Sequence, residues 1–219
     1  MMATRIDDII EAIQGYHPNP DIALVQRAYV YSAKVHAGQL RKSGEPYLTH
    51  PLAVAHLLTR LRLDDKSIAT GLLHDTVEDT LATIDEIRTL FGPEVATLVD
   101  GVTKLSQIQF DTDAHKQAEN FRKMLVAMAK DIRVILVKLC DRVHNMLTLE
   151  HLRDDKRRRI AQETLDIYAP LANRLGIHWI KSELEDLSFR NLDPQAHQQL
   201  EEKVKSLSSE REAYVREVL

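Results

Sequence analysis

Four short segments of this chain combine residue types that can hold a metal ion and act on a phosphorylated substrate. They are Thr49-His50-Pro51, LHDTVEDT at 73–80, KLCDRVHN at 138–145 and RKSG at 41–44. A buried Asp is costly unless it is paired or bound to a metal, and the His74-Asp75 pair directly follows an apolar run. Together with His50 and Asp141 it would make a His₂Asp₂ set, which suits Mn²⁺, Fe²⁺ or Zn²⁺ with open positions for water. An ion in such a site lowers the pKa of bound water and polarises a phosphoryl oxygen.

Further polar residues follow these candidate ligands at helical spacing. Glu78 and Asp79 come three and four residues after Asp75, so an unbroken helix would place them near the same face, within reach of an attacking water. Asn145 and Thr148 follow Asp141 at i+4 and i+7 and share a face with it. A carboxylate, an amide and a hydroxyl that point the same way indicate one wall of a substrate site.

Each of these features also has a plainer interpretation. A His-Asp dipeptide is common by chance, and His50 beside Pro51 could be a turn residue. Asp141 could pair with Arg142 or with a neighbouring Lys. Glu78-Asp79 could be only an acidic pair at a helix end, and Asn145 could cap or bridge helices. The combination of all four segments favours a functional site.

Two residues beside Asp141 have separate interpretations. We interpret Cys140 as a buried filler residue, because it points about 100° away from Asp141 on an α-helix. His144 is three residues from Asp141, so it could be a fifth ligand or a base, but a hydrogen-bonded structural His is the favoured interpretation. Arg157-Arg158-Arg159 is typical of a solvated helix face.

The composition predicts an all-α protein. The 219 residues include only 7 Gly and 5% aromatics, and they are 44% hydrophobic and 28% charged, which fits a folded helical domain better than a sandwich or barrel. A single Cys excludes a disulfide framework and a Cys-based zinc site, and fits a reducing cytoplasm. A net charge of −4 gives no reason to expect nucleic acid, and no apolar run is long enough to span a membrane.

Apolar periodicity and capping residues predict where the helices lie. The predicted helices cover approximately 5–14, 21–35, 51–61, 65–74, 83–92, 93–104, 114–129, 132–149, 154–168, 171–176, 177–190 and 194–218. Thr4, Asp21 and Asp131 are the predicted N-caps, and Thr83 to Glu86 reads as a capping box. Residues 36–51 are rich in Gly and Pro and predict a functional loop, while the polar stretch 106–113 predicts a mobile segment.

Five longer segments of the sequence resemble a known family. The segments RKSGEPYLTHP, HDTVEDT, QAENFRKMLVAMAKDIRVILVKL, KLCDRVHNMLTL and YAPLANRLGIHWIKSELEDLSFR resemble the N-terminal part of the long Rel/Spo-homologue stringent-response enzymes. These are bifunctional guanosine penta- and tetraphosphate synthetase/hydrolases. The resemblance covers nearly the whole chain, from about Val25 to Asp193.

The resemblance implies an all-helical hydrolase of the HD-domain superfamily. It implies Mn²⁺ held by His50, His74, Asp75 and Asp141, with Glu78 and Asp79 positioning or activating water. It further implies that the guanine nucleotide is contacted by a set of five residues, namely Arg41, Lys42, Ser43, Asn145 and Thr148. The implied reaction removes the 3′-pyrophosphate of ppGpp or pppGpp, which gives GDP or GTP and pyrophosphate.

The resemblance also sets expectations about the rest of the protein. We expect residues 1–150 to form the core of the hydrolase domain, 151–193 to complete it and lead onward, and 194–219 to be a C-terminal helix at the start of a synthetase region. The implied partners are the enzyme's own synthetase and regulatory domains, and the implied location is the cytoplasm. Two rival interpretations are an HD phosphohydrolase acting on deoxynucleotides or cyclic dinucleotides, and a module that binds the alarmone without hydrolysing it. A third possibility is a fragment that rests in a hydrolase-off state.

Overall fold

A computed structural model describes residues 4–107 and 130–205 of the chain. It divides the chain into two compact units, Met1–His151 and Leu152–Leu219. Neither described range contains a β-strand, and a lone bridge pairs Leu40 with Pro46. The prediction of an all-α fold is therefore confirmed.

The first unit contains eight described α-helices. Their bounds are α1 Ile6–Gln14, α2 Ile22–Val35, α3 Thr49–Arg60, α4 Asp65–Leu73, α5 Thr76–Asp79, α6 Ile84–Phe91, α7 Pro93–Ser106 and α8 Ile132–Leu147, followed by a 3₁₀ turn at Leu149–His151. The predicted helix 114–129 and most of the segment 106–113 lie outside the described residues.

Most of the predicted helix starts are found in the structure. The carboxylates of Asp21 and Asp131 accept hydrogen bonds from the first turns of α2 and α8, and the Thr83 hydroxyl accepts one from Glu86 N–H at the start of α6. The prediction for Thr4 is wrong, because α1 is capped at Arg5, whose N–H donates to the Asp8 carboxylate at 2.7 Å. The Asp8 carboxylate thereby satisfies the N–H group of the residue that begins the helix.

Helix α4 lies at the centre of the first unit. It packs against α2, α3, α7 and α8, and every residue from Ser67 to Leu73 is buried. A helix that is buried on all sides needs small residues where a neighbour comes close. Gly71 meets that need, since a Cβ added there would lie 2.5 Å from Leu58 Cδ1 of α3.

The second unit is also helical. Its elements are α9 Asp154–Glu163, a π-helical turn Thr164–Tyr168, α10 Ala169–Arg174 and α11 His178–Leu192, and residues 194–205 are helical as well. Its core contains Ala161, Tyr168, Leu171, Ile180 and Leu184. Arg158 and Arg159 are exposed on α9, as expected for a solvated face, whereas Arg157 is half-buried and pairs with Asp154. The three-part domain division predicted from the sequence stays a prediction.

Candidate metal centre and active site

Four candidate ligands from three helical regions converge in the first unit. His50 lies in the first turn of α3, His74 and Asp75 directly follow α4, and Asp141 lies in α8. Donor atoms of His50, His74 and Asp141 all lie within 4.8 Å of one another. Asp75 completes the group, with its carboxylate oxygens 3.0 Å from His74 Nε2 and 3.3 Å from His50 Nε2. The structure thus brings together the four residues that the resemblance implied as ligands.

The His74 ring shows that this cluster fits a cation. Its Nδ1 lies 2.8 Å from the carbonyl oxygen of Gly71, and a carbonyl only accepts, so Nδ1 carries the proton. The buried Nε2 has no hydrogen-bond partner among the described residues, yet it lies 3.0 Å from Asp75 Oδ1 and 3.8 Å from Asp141 Oδ1. A lone pair that faces two carboxylates is repelled unless a proton or a metal ion lies between them. The donor set therefore fits a divalent metal ion.

His144 contacts His50, the second candidate imidazole ligand. The Nδ1 atoms of His50 and His144 lie 2.9 Å apart, so one must donate to the other. Burial, with the neighbouring His50, lowers the pKa of His144 to about 3, so His144 stays neutral and keeps a lone pair. It can then accept a hydrogen bond from His50 Nδ1–H and leave the lone pair of His50 Nε2 free to bind a cation. This geometry supports the structural interpretation of His144 over a role as fifth ligand.

The two carboxylate oxygens of Asp141 have different partners. Oδ1 lies 3.2 Å from His50 Nε2 and accepts a hydrogen bond from Asn145 Nδ2 at 2.5 Å. Oδ2 accepts one from Lys138 Nζ at 2.6 Å. The sequence left two alternatives for Asp141, pairing with a neighbouring Lys or membership of the candidate metal cluster. In the structure Asp141 does both.

The electrostatics of the cluster are those of buried opposite charges. Burial alone would lower the pKa of His74, but Asp75 and Asp141 outweigh it and raise that pKa to about 9. Burial alone would raise the pKa of both carboxyl groups. His74 and His50 instead hold the pKa of Asp75 well below its usual range, and Lys138 and the two His side chains do the same for Asp141. The site is thus organised around ionised carboxylates, the form that binds metal ions.

The helix does not run unbroken through the acidic pair. It ends at Leu73, and the one-turn α5 begins after Asp75. Two carbonyl groups in the last turn of α4 accept hydrogen bonds from side chains instead of from backbone N–H groups. His74 Nδ1 bonds to Gly71 O, and Thr76 Oγ1 donates to Leu73 O at 2.6 Å. Such side-chain bonds compete with helical backbone bonds. The N–H group of Asp79 still bonds to Asp75 O at 2.9 Å, so Asp79 stays one turn from the candidate ligand.

Tyr47 links the two acidic groups on either side of this turn. Its hydroxyl lies 2.6 Å from Asp75 Oδ2 and 2.5 Å from Asp79 Oδ2, and its ring stacks on His36 with centroids 4.5 Å apart. Burial and the two carboxylates raise the pKa of Tyr47 far above its usual value, so the hydroxyl remains a donor. Sequence reasoning did not single out Tyr47, although it stands in the quoted RKSGEPYLTHP segment between the loop and His50.

The loop that precedes α3 brings Arg41 to the site. Arg41 N–H bonds to Glu45 O and Gly44 N–H to Arg41 O, both at 2.9 Å, and the turn needs Gly44 at φ 85°. The Arg41 guanidinium donates to Asn145 Oδ1 at 3.1 Å and to Thr148 Oγ1 at 3.2 Å. Asn145 thereby connects the loop to Asp141.

The other two predicted nucleotide contacts lie at the tip of the same loop. Lys42 is exposed, and the Ser43 hydroxyl donates to Glu45 Oε2 at 3.4 Å. No hydrogen bond within 4–107 and 130–205 joins either side chain to the candidate ligands. Cys140 is fully buried, and burial raises the pKa of its thiol, as expected of a filler residue.

This fold and site are those of an HD-domain protein. The profile of the HD domain family matches residues 28–178, and the chain belongs to that family. It is similar to a GTP pyrophosphokinase from Myxococcus xanthus, with 65% identity over 93% of this chain and 27% of the relative. It is also similar to the bifunctional (p)ppGpp synthase/hydrolase SpoT of Escherichia coli K12, with 50% identity over 97% of this chain and 30% of that protein. The resemblance to the Rel/Spo homologues is confirmed, and the chain spans less than a third of these relatives.

A solved structure is similar as well. It is described as a metazoan ortholog of SpoT that hydrolyses ppGpp and plays a role in starvation responses. The two share 27% identity with a TM-score of 0.53, and the match covers 78% of this chain and 96% of the other. No helix within 4–107 or 130–205 is long and apolar enough to cross a bilayer.

Proposed function

We propose that this chain hydrolyses ppGpp and pppGpp at the 3′-pyrophosphate, giving GDP or GTP and pyrophosphate, with Mn²⁺ as the metal. The observation that carries the proposal is the convergence of donor atoms from His50, His74 and Asp141 within 4.8 Å of one another, with the Asp75 carboxylate 3.0 Å from His74 Nε2. The matched relatives named as SpoT and as guanosine-3′,5′-bis(diphosphate) 3′-pyrophosphohydrolase support this choice of substrate. A divalent cation held by these residues would supply a Lewis acid that polarises the phosphoryl group and acidifies water.

In this proposal Glu78 is the general base. The pKa of Glu78 is raised because its carboxyl group, although exposed, is partly desolvated by its neighbours, while Ser106 and Lys138 oppose the rise. A base is more effective when its pKa is nearer the working pH. Glu78 takes a proton from the attacking water while oxygen bonds to the phosphorus attached to the ribose 3′-oxygen. The bond from phosphorus to that oxygen breaks, and the ribose oxygen takes up a proton.

Asp79 has a different role in this proposal. Its carboxylate accepts from the Tyr47 hydroxyl, so it is held next to the metal ligand Asp75 and orients the water rather than deprotonating it. Arg41, Asn145 and Thr148 bind the nucleotide. Arg41 gives up its hydrogen bonds to Asn145 and Thr148 when the anionic substrate binds to its guanidinium group. A guanidinium group can stack on a base and pair with a phosphate. Lys42 and Ser43 contact the nucleotide from the exposed tip of the loop.

The wider setting is also part of the proposal. The chain would act in stringent-response control within the cytoplasm, next to synthetase and regulatory domains of a longer protein. The partial coverage of the matched relatives, 27% and 30%, supports this setting.

Pyrophosphate release from ppGpp, and chromatographic analysis of the products from deoxynucleoside triphosphates and cyclic dinucleotides, each with and without Mn²⁺, test the proposal. We expect Mn²⁺-dependent release from ppGpp alone. Glu78→Gln should fold, bind Mn²⁺ and lose about 10²–10⁴-fold in kcat, whereas Asp79→Asn should lose less. Preferred turnover of a deoxynucleotide would overturn the substrate assignment, and a fully active Glu78→Gln variant would overturn the role of the base.

A further inference from the structure

We infer that His36 and Gln39 are positioning residues that hold Asp79 in place for the hydrolysis proposed above. Gln39 Nε2 donates a hydrogen bond to the main-chain carbonyl of Asp79 at 3.2 Å, and Gln39 Oε1 lies 2.8 Å from His36 Nδ1. The Asp79 carboxylate accepts from the Tyr47 hydroxyl at 2.5 Å, and the Tyr47 ring stacks on His36. These four residues form a closed ring of contacts, which we call the Asp79 clamp. The inference rests on the proposed function, in which Asp79 orients the attacking water.

Asp79 needs this support because it ends a very short helix. Helix α5 spans only Thr76–Asp79, and a single turn forms too few backbone hydrogen bonds to be stable alone. Asp79 is exposed, and the chain leaves the helix at Thr80 in an extended conformation. Gln39 holds the main chain of Asp79, and Tyr47 holds its carboxylate. The clamp therefore fixes both ends of the side chain that is to orient the water.

The clamp is built on the base of one loop. Tyr47 N–H donates to Gln39 O and Gln39 N–H to His36 O, both at 3.0 Å, and Leu40 pairs with Pro46. These contacts are made by the main chain, so they persist when the Gln39 side chain is shortened. His36 caps the C-terminal end of α2 and is only 4% exposed. The base of the loop is therefore anchored to the packed core, and it can hold Asp79 without help from the loop tip.

The direction of each hydrogen bond in the clamp follows from chemistry. The Asp79 carbonyl only accepts, so the amide NH₂ of Gln39 faces it and the amide oxygen faces His36. That oxygen also only accepts, so His36 Nδ1 carries a proton. His36 Nε2 is buried and has no hydrogen-bond partner in the part of the chain that the structure describes. A proton there would be a buried donor without an acceptor, which is costly. A neutral His36 with its proton on Nδ1 therefore sets the amide orientation that Gln39 needs.

Variants of the two positioning residues test the clamp in the hydrolysis reaction. Gln39→Ala should lower kcat for ppGpp about tenfold, with KM and Mn²⁺ affinity within about twofold of wild type, because only the placement of Asp79 is lost. His36→Phe keeps a ring beside Tyr47 but removes the donor to Gln39, so kcat should fall in the same way. The matched control is Gln26→Ala, an exposed Gln of α2 to which no described residue forms a hydrogen bond. This control should leave kcat unchanged.

A double-mutant cycle with Asp79→Ala decides between positioning and general disturbance. If Gln39 acts through the Asp79 carboxylate, then Gln39→Ala costs about tenfold in the wild-type background and nothing in the Asp79→Ala background. An equal loss of kcat in both backgrounds would overturn the inference.

Hydrogen–deuterium exchange tests the clamp without any activity. The N–H groups of Glu78 and Asp79 bond to Asp75 O at 3.2 and 2.9 Å, so loosening α5 exposes them to solvent. Gln39→Ala should speed exchange of these two amides about fivefold, and Gln26→Ala should leave it as in the wild type. Unchanged exchange in Gln39→Ala would overturn the inference. If the wild type fails to hydrolyse ppGpp, the proposed function falls, and the exchange rates still decide whether the clamp exists.

Discussion

Gly71→Ala should weaken metal binding far more than it weakens the fold. The added Cβ would lie 2.5 Å from Leu58 Cδ1 and 3.4 Å from Ala55 Cα, whereas carbon atoms in contact sit about 3.5–4.0 Å apart. Leu58 is fully buried, so its methyl group has no solvent to move into. Helix α4 must therefore shift from α3 by a distance on the order of 1 Å, and the carbonyl of residue 71, which holds His74, moves with it.

The two effects of this substitution on stability partly cancel. Overpacking a core costs about 1–3 kcal/mol, while replacing Gly by Ala inside a helix gains about 1 kcal/mol. We therefore expect the free energy of unfolding of the metal-free protein to fall by about 0–2 kcal/mol. The displacement of His74 relative to His50 is not compensated, and disturbing the support of a metal ligand typically costs about 10–100-fold in affinity.

Calorimetric titration with Mn²⁺ and thermal unfolding of the metal-free protein measure the two effects separately. Gly101→Ala is the matched control, since its Cβ would lie 2.7 Å from Val134 Cγ2, two turns from Asp141, and it should lose stability but keep metal affinity within about twofold. Gly71→Ala combined with Leu58→Val, which removes the clashing methyl, should recover much of the affinity. Wild-type affinity in Gly71→Ala, or equal losses in both glycine variants, would refute the reasoning.

Three further predictions concern the side chains around the cluster. Tyr47→Phe leaves two carboxylates without their shared donor, and steady-state kinetics should show kcat reduced about tenfold or more. His144→Ala removes the partner of His50 Nδ1, so Mn²⁺ affinity should fall about 10–100-fold, with partial recovery in His144→Gln. In the metal-free protein folding raises the pKa of His74 from about 6.5 to about 9. Protonation of His74 therefore stabilises the folded state, and this contribution is complete below pH 6.5. Denaturation should therefore show this stability being lost as the pH rises through 9, and Mn²⁺ binding at neutral pH should release a proton from His74, which calorimetry in two buffers detects.

The candidate ligands were predictable from the sequence because the chemistry depends on residue type. His74 and Asp75 are adjacent, and Asp141 and Asn145 are one helical turn apart. Local spacing therefore places the two residues of each pair side by side. The structure joins Asn145 to Asp141 at 2.5 Å. The all-α fold was predictable for a similar reason. Low Gly content and apolar periodicity favour helices through contacts between residues that are close in sequence. The roles of the individual site residues stay predictions.

The supporting contacts were not predictable, because they join distant parts of the chain. Tyr47 meets Asp75 and Asp79 across 28 and 32 residues, and Lys138 meets Ser106 across 32. Such contacts depend on how α3, α5, α7 and α8 pack, which periodicity does not determine. The break after Leu73 was equally hidden, since it arises when side chains capture carbonyl groups and not from a Gly or Pro.

The central claim is that His50, His74, Asp75 and Asp141 hold the metal ion that hydrolysis requires. It is tested most directly by metal analysis and Mn²⁺-dependent ppGpp hydrolysis on the wild type and on Asp141→Ala, with circular dichroism to confirm the helical fold. We predict about one divalent ion per chain and pyrophosphate release for the wild type. The folded variant should lose both. Full metal content and full activity in Asp141→Ala would contradict the account.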